Sequence, residues 1–368
     1  MNATNRRYQI AVVPGDGIGP EVCDAAVAVL QAAVSGVADL DFQYHAAGAN
    51  CYLECGEAFP EAARAACLAA DAVLHGAAGL PGVLHADGTE AGQDFSMKIR
   101  SLLDTYANVR PIKLYAGITS PLAGRKAGDI DYVIVRENTE GLYAARSGGN
   151  LLRDEIASDT LIMTRKGIER VVRHAAEISR HRNGAPGDGK RRVTIVDKSN
   201  VLRSYAFFRH VATEVMADYP DIEVDYALSD AVTIYMIERP EHFDVIVCEN
   251  FIGDMISDLG AATVGGMGVA AAAELGDDHG YFQGSHGTAP DIAGQGLANP
   301  TATILSAAEM LNWLARQHDD DDLAACGAAI CKAMEAVLAA ATDTTPDLGG
   351  QASTMAMAEA VCRALTEA

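Results

Sequence analysis

The chain has 368 residues, 49% hydrophobic and 21% charged, which is long enough for two globular units and excludes a disordered or coiled-coil protein. Its 28 Lys and Arg stand against 50 Asp and Glu, and a net charge of -22 argues against nucleic acid or an anionic membrane as a general partner. The same field repels small di- and tricarboxylates, so an anionic ligand would need local arginines.

In chain order, the opening reads as a strand from Gln9 to Val13, a Gly-rich turn from Pro14 to Gly19, and a helix beginning near Pro20 with Val22, Ala26, Val29 and Leu30 on one face. Short Val/Ile-rich runs follow at Asp71 to His75, Tyr132 to Arg136, Arg192 to Asp197 and Asp244 to Cys248, separated by helical stretches such as 165–182. This alternation predicts an α/β protein with strands buried on both faces. Asn183 to Gly189 is the clearest loop, and no solenoid repeat is present. The eight cysteines form no Cys-x-x-Cys pair, and the start has no signal-peptide core, so a reducing, cytoplasmic compartment is expected.

Several clusters are candidates for chemistry. Gly15, Gly17 and Gly19 resemble a dinucleotide fingerprint, but the third glycine comes one residue early, and a plain tight turn needs the same glycines. Asp254 and Asp258 lie four apart at the predicted start of a helix and share a face. They read either as oxygen ligands for Mg²⁺ or Mn²⁺, or as acids that favour a helix N-terminus. Arg100 and Arg110 lie ten residues apart and are expected on one side of a helix or its following loop, while Arg136 ends a strand, where a planar fork can meet a carboxylate. Lys198 and Asn200 follow the strand that ends at Asp197, and Tyr143 follows Arg136 by seven residues. In the loop His286-Gly287-Thr288-Ala289-Pro290-Asp291, the Asp suits two ribose hydroxyls and repels a 2'-phosphate.

Taken together, VVPGDGIGPEV (12–22), GAAGLP (76–81), YANVRP (106–111), RENTEGLY (136–143), DKSNVL (197–202), NFIGDMISDL (250–259), HGTAPDIAGQGLANPTATILS (286–306) and TPDLGG (345–350) resemble the isocitrate and isopropylmalate dehydrogenase family. The resemblance implies a doubly wound α/β subunit that is not a Rossmann domain, with 1–106 and 265–368 forming a large domain and 107–264 a small domain and dimer interface. It further implies that Arg100, Arg110 and Arg136 grip a malate-like substrate, and that Asp230, Asp254 and Asp258 hold Mg²⁺ or Mn²⁺. Lys198 and Asp230 are expected from the neighbouring subunit of a homodimer, Lys198 as base and Tyr143 as the final proton donor. NAD is expected on Asn200, on the loop His286, Gly287, Thr288, Ala289, Pro290 and Asp291, and on Asn299.

Substrate choice in such enzymes is set just before the first substrate arginine. Isocitrate enzymes place Ser and Asn six and four residues before it, where this chain has Asp94 and Ser96, and isopropylmalate enzymes use Leu in this region. Asp94 would repel a third carboxylate if it faces the pocket, Met97 and Phe95 could accept an alkyl group, and Ser96 could meet an extra hydroxyl. The expectation is NAD-dependent oxidative decarboxylation of a 3-substituted (R)-malate, with 3-isopropylmalate, giving 2-oxo-4-methylpentanoate and CO₂, as the leading substrate. D-malate, tartrate, isocitrate and a noncatalytic regulatory subunit are the alternatives.

Overall fold

A computed structural model describes residues 6–144 and 149–367. The chain begins with β1 (Arg7–Gly15), α1 (Gly19–Ala33), β2 (Asp39–Tyr44), α2 (Ala49–Cys55), α3 (Glu61–Ala69), β3 (Ala72–Ala77), α4 (Gln93–Leu102) and β4 (Ala107–Lys113). It continues through β5 (Asp131–Glu137), a short α5 (Gly141–Ala144), the exposed hairpin of β6 (Asn150–Leu152) and β7 (Ile156–Ser158), α6 (Arg165–His181), β8 (Arg192–Asp197), α7 (Arg203–Met216) and β9 (Glu223–Leu228). The last third holds α8 (Ser229–Glu238), β10 (Val245–Cys248), α9 (Asn250–Thr263), β11 (Ala271–Leu275), β12 (Gly280–Gly284), α10 (Thr301–His318), α11 (Asp321–Ala340) and α12 (Thr354–Glu367).

Ten strands form one sheet in the order β2-β1-β3-β12-β11-β4-β5-β10-β8-β9. Both ends are parallel, and β11, flanked by β12 and β4, and the β4/β5 pair are antiparallel. The all-buried runs of β3, β8, β10 and β11 match the Val/Ile/Ala-rich composition that strands covered on both faces require. One core gathers α1, α10, α11 and α12 over β1, β3, β11 and β12, and others pack α6 and α7, or α8 and α9, on the strands from β5 to β10. Helix α11 is long and apolar enough to cross a membrane by length and composition, with mean hydropathy 1.7, and it packs against α10 and α12. The Gly/Ala-rich stretch 260–273 is split between the end of α9, a 3₁₀ turn and the buried β11.

Candidate active site

The Gly-rich turn after β1 is explained by packing. A Cβ on Gly17 would lie 2.0 Å from the Thr288 carbonyl oxygen, and φ there is +58°, so only glycine lets the loop after β12 sit on this turn. Ile18 N donates to that same carbonyl at 2.9 Å. Asp16, fully buried, accepts from the backbone N–H of Ala49, Asn50 and Gly79 at 2.7, 2.8 and 2.8 Å, which ties the turn to α2 and to the segment after β3. The Ile18 N–H of this turn, a group that a dinucleotide fingerprint would offer to phosphate, is thus already bonded within the protein.

Farther along the sheet, Arg136, 1% exposed, is the penultimate residue of β5, and α9 crosses over it. The close approach depends on Gly253, because a Cβ there would meet Arg136 Cγ at 2.6 Å. Arg136 donates Nε and Nη2 to Asn250 Oδ1 at 2.9 and 2.7 Å and pairs through Nη1 with Asp254. Tyr143 Oη donates to the other Asp254 oxygen at 2.9 Å. From β4, Arg110 donates Nη1 to Ser257 Oγ at 2.7 Å and to Asp258 at 3.4 Å, with its Nη2 3.8 Å from Asp254. The helix N-terminus itself is capped by Glu249, whose carboxylate accepts from Phe251 N and Ile252 N at 3.0 and 2.7 Å. Asp254 and Asp258 are therefore not the caps. They lie in the body of α9 and face arginines.

Burial pushes the Asp254 carboxyl up, but Arg136 and Arg110 more than offset this and hold it below the usual carboxylate range. Burial raises Asp258 as well, and the neighbouring Asp254 adds to the rise against the pull of Arg110. Tyr143 is pushed up to about 12 by burial and by Asp254, which keeps its hydroxyl proton in place. Arg110 is lowered to about 10 by burial and by Arg136.

Arg100 comes from the last turn of α4 and not from the same element as Arg110, which corrects the expectation of a shared helix or loop. It reaches the same centre, close enough for its charge to act on Arg110 and Tyr143. Its guanidinium is gripped by the buried Glu274 of β11 at 2.9 and 3.0 Å. Sequence reasoning missed Glu274 and Ser257; an acid directly after the alanine run 270–273 was the available signal for the first. The three arginine charges thus meet three carboxylates, Glu274, Asp254 and Asp258, so the pocket is not the net cationic one that the arginines alone imply.

A cleft of about 750 Å³ opens beside these groups, lined by Met97, Arg100, Asn138 and Tyr143, among others. Asp94 lines it too, but forms an ion pair with Lys98 at 3.0 Å, so its charge is partly balanced, and it lies 3.4 Å from His85 Nε2. Ser96 and Phe95 are buried in α4 and do not line the cleft, whereas Met97 does.

Lys198, just after β8, donates to Asp230, in the first turn of α8, at 2.6 Å, and this contact holds the exposed Asp230 carboxyl below its ordinary range. Among the described residues, neither forms a hydrogen bond or ion pair with the Arg136–Asp254 cluster. Asn200 is exposed nearby. On the loop after β12, Thr288 and Asn299 are buried, Ala289 has φ +36°, and Asp291 is exposed. His286 Nε2 lies 3.2 Å from Thr303 Oγ1, burial lowers its pKa, and Asn299 donates to Asp347 at 2.9 Å.

The model of the isocitrate/isopropylmalate dehydrogenase family matches residues 9–361. The chain belongs to that family. It is 42% identical over 361 residues to the 3-isopropylmalate/3-methylmalate dehydrogenase of Methanocaldococcus jannaschii, a match covering 98% of this chain and 99% of that one. With the 3-isopropylmalate dehydrogenase of Bifidobacterium longum subsp. infantis it shares 43% over 84% of this chain and 88% of the relative. Among solved structures, the isocitrate dehydrogenase from Methylococcus capsulatus superposes with a TM-score of 0.84 at 34% identity, covering 97% and 99% of the two chains. The protein is accordingly an oxidative decarboxylating dehydrogenase acting on a small hydroxy acid.

A divalent cation suits the donor chemistry. Asp254 and Asp258 supply only oxygen, on one face of α9, and the mutual repulsion that raises Asp258 would be relieved by positive charge between them. Among the described residues of one chain, no group of three His, Cys, Asp or Glu gathers into a metal site, so these two carboxylates would be the ligands supplied in cis.

Proposed function

We propose that the protein carries out NAD-dependent oxidative decarboxylation of a 3-substituted (R)-malate, with 3-isopropylmalate as the leading substrate. The carrying observation is the cluster in which Arg110, Arg136 and Tyr143 converge on Asp254 and Asp258, beside a cleft that also displays Arg100. The three arginines orient the acid's carboxylates. Lys198 of the partner subunit takes the hydroxyl proton, and NAD, when bound, would accept the C2 hydride and leave as NADH. The C3–carboxylate bond of the resulting 3-carboxy-2-oxo acid then breaks to release CO₂, and Tyr143 returns a proton to C3. Mg²⁺ or Mn²⁺ bound by Asp254, Asp258 and Asp230 of the partner subunit would supply Lewis-acid stabilisation of the oxygen that becomes negative. Tyr143 suits its task because it lines the cleft beside Arg100, with its hydroxyl on Asp254.

NAD would rest on Asn200 and on the segment from His286 through Gly287, Thr288, Ala289, Pro290 and Asp291 to Asn299, with the exposed Asp291 favouring NAD over NADP. A homodimer is supported by exposed apolar side chains beside the site residues, Ile234 and Ile237 on α8 and Phe251 and Met255 on α9. The reading divides the chain into a large domain of 1–106 and 265–368 and a small one of 107–264. Eight free cysteines fit a cytoplasmic enzyme.

Isocitrate is the second reading because Asp94 is paired with Lys98 and so opposes a third carboxylate less than a bare acid would. Initial rates of NADH formation with Mn²⁺ on 3-isopropylmalate, 3-methylmalate, D-malate, tartrate and isocitrate decide the matter. The highest kcat/KM is expected for 3-isopropylmalate. A higher value for another acid replaces the substrate, and no NADH with any of them supports a regulatory subunit.

A further inference from the structure

Glu274 is a carboxylate with no exposed surface in a strand whose preceding residues are alanines. Five hydrogen bonds converge on it. Arg100 donates Nε to Oε2 and Nη2 to Oε1 at 2.9 and 3.0 Å, and Asn138 donates to Oε2 at 2.7 Å. Asn108 and Gln283 donate to Oε1 at 3.1 and 2.7 Å. These donors come from α4, β4, the turn after β5, and β12, so four parts of the chain aim at one side chain.

Stability alone is a poor account of this arrangement. Desolvating two charges offsets most of their attraction, and an apolar pair of similar volume would fill the space as well. The way Arg100 is held is more informative. Glu274 takes one edge of the guanidinium, Nε with Nη2, whereas Nη1 donates to none of the described residues and Arg100 lines the cleft beside Asn138 and Tyr143. The tether is rigid because its acceptor is itself fixed by three amides.

We infer that Glu274 is a positioning residue: Asn108, Asn138 and Gln283 fix its carboxylate, which holds Arg100 by one edge and turns Nη1 toward the substrate. Arg100 then meets a substrate carboxylate end-on, while its charge is balanced from behind, so that what it contributes is direction more than net attraction. This rests on the proposed role of Arg100 in gripping the acid.

The test uses the full-length enzyme with Mn²⁺ and NAD and two variants, Glu274→Gln and Gln283→Met. KM is measured separately for the best acid of the panel and for NAD, and D-malate binding in the presence of Mn²⁺ is measured by calorimetry. Glu274→Gln is expected to raise the acid KM and the D-malate Kd by about tenfold or more, leaving the NAD KM within about twofold, the size expected when one charge-assisted contact is misaimed. Gln283→Met removes one donor and leaves the ion pair intact, so it decides the issue if Glu274→Gln does not fold; its expected rise in the acid KM is about threefold. A folded variant in which neither KM moves, or both move together, overturns the inference and leaves Glu274 a structural acid. If the parent protein binds D-malate but turns over no acid, the proposed reaction falls and Kd alone judges Glu274. If the parent binds no acid, both fall.

Discussion

Two regions of the molecule carry the proposed chemistry, and they differ in how much of their geometry one chain supplies. Around Arg136, buried charges are braced from several directions: the guanidinium is 1% exposed, Asn250 and Asp254 hold it, and Asn250 in turn donates to the Glu140 carbonyl at 2.8 Å. Among the described side chains, Lys198 and Asp230 are instead paired with each other, at 28% and 70% side-chain exposure. An exposed pair of this kind is screened by solvent and adds little to stability, so exchanging its partner costs little. A preorganised half and a half with replaceable contacts is what a site completed by a second copy of the chain requires.

The largest expected effects break one half or the other. Asp254→Asn is expected to lower turnover on the order of a thousandfold, since it removes a ligand of the cation that would stabilise the developing negative charge. It should also cost about 2 kcal/mol in thermal or denaturant unfolding, less than a fully buried pair because the Asp254 side chain is 37% exposed. Lys198→Met is expected to lose comparable turnover with unchanged stability, the pair being exposed. Mixing the two inactive variants, with unfolding and refolding to exchange subunits, is the sharper measurement. In a shared-site dimer a mixed pair regains one intact site, so about a quarter of parent activity returns. No recovery in a mixture shown to contain mixed dimers would place both residues in the same chain's site.

How much of this was legible in the sequence follows from how local each signal is. The α/β order and the residues at strand ends, Arg136 and Lys198, could be read because they rest on short-range alternation and position. Asp254 and Asp258 shared a face as their spacing implied, but the sequence left open whether they cap the helix; Glu249 decides it, and only the fold reveals that Glu249 turns back onto Phe251 and Ile252. Glu274 was hidden because its partners lie 174, 166 and 136 positions away, at Arg100, Asn108 and Asn138. Charge bookkeeping failed for the same reason: counting arginines in the sequence cannot show which are already neutralised.

A further contrast lies within the sheet, since β3, in the sheet's first third, buries a histidine. His75 on β3 is fully buried with Nδ1 2.6 Å from the Val13 carbonyl oxygen, and burial lowers its pKa to about 4 from 6.5. The unfolded chain therefore takes up a proton between pH 6.5 and 4 that the folded chain refuses, and stability falls as pH drops through that window. The loss from this one group is on the order of 3 kcal/mol, and none of it appears above pH 6.5. His75→Asn keeps a donor for Val13 and should flatten the decline of the unfolding midpoint with acid, even if it is less stable at neutral pH. His174, also lowered to about 4 mainly by burial, preserves part of the slope. An unchanged slope in His75→Asn would show that the acid sensitivity arises elsewhere.

The smallest predicted effects separate neighbours on α4. Met97, Arg100 and Ser101 share the cleft-facing side of the helix, while Ser96 lies behind them, 8% exposed, beside the buried Phe95 and Ile99. Met97→Ala should therefore shift the kcat/KM ratio between a branched and an unbranched malate by roughly tenfold, the worth of one or two methylenes in a substrate pocket. Ser96→Ala should shift it by less than about twofold. Rates of both variants on 3-isopropylmalate and D-malate test the pair together. If Ser96→Ala has the larger effect, the face of α4 that meets substrate is not the one open in this structure, and the helix must rotate or the cleft must close before the acid is bound in its reactive pose. That outcome would also move Arg100, because it rides on the same helix, and would place the Glu274 contact under strain during each turnover.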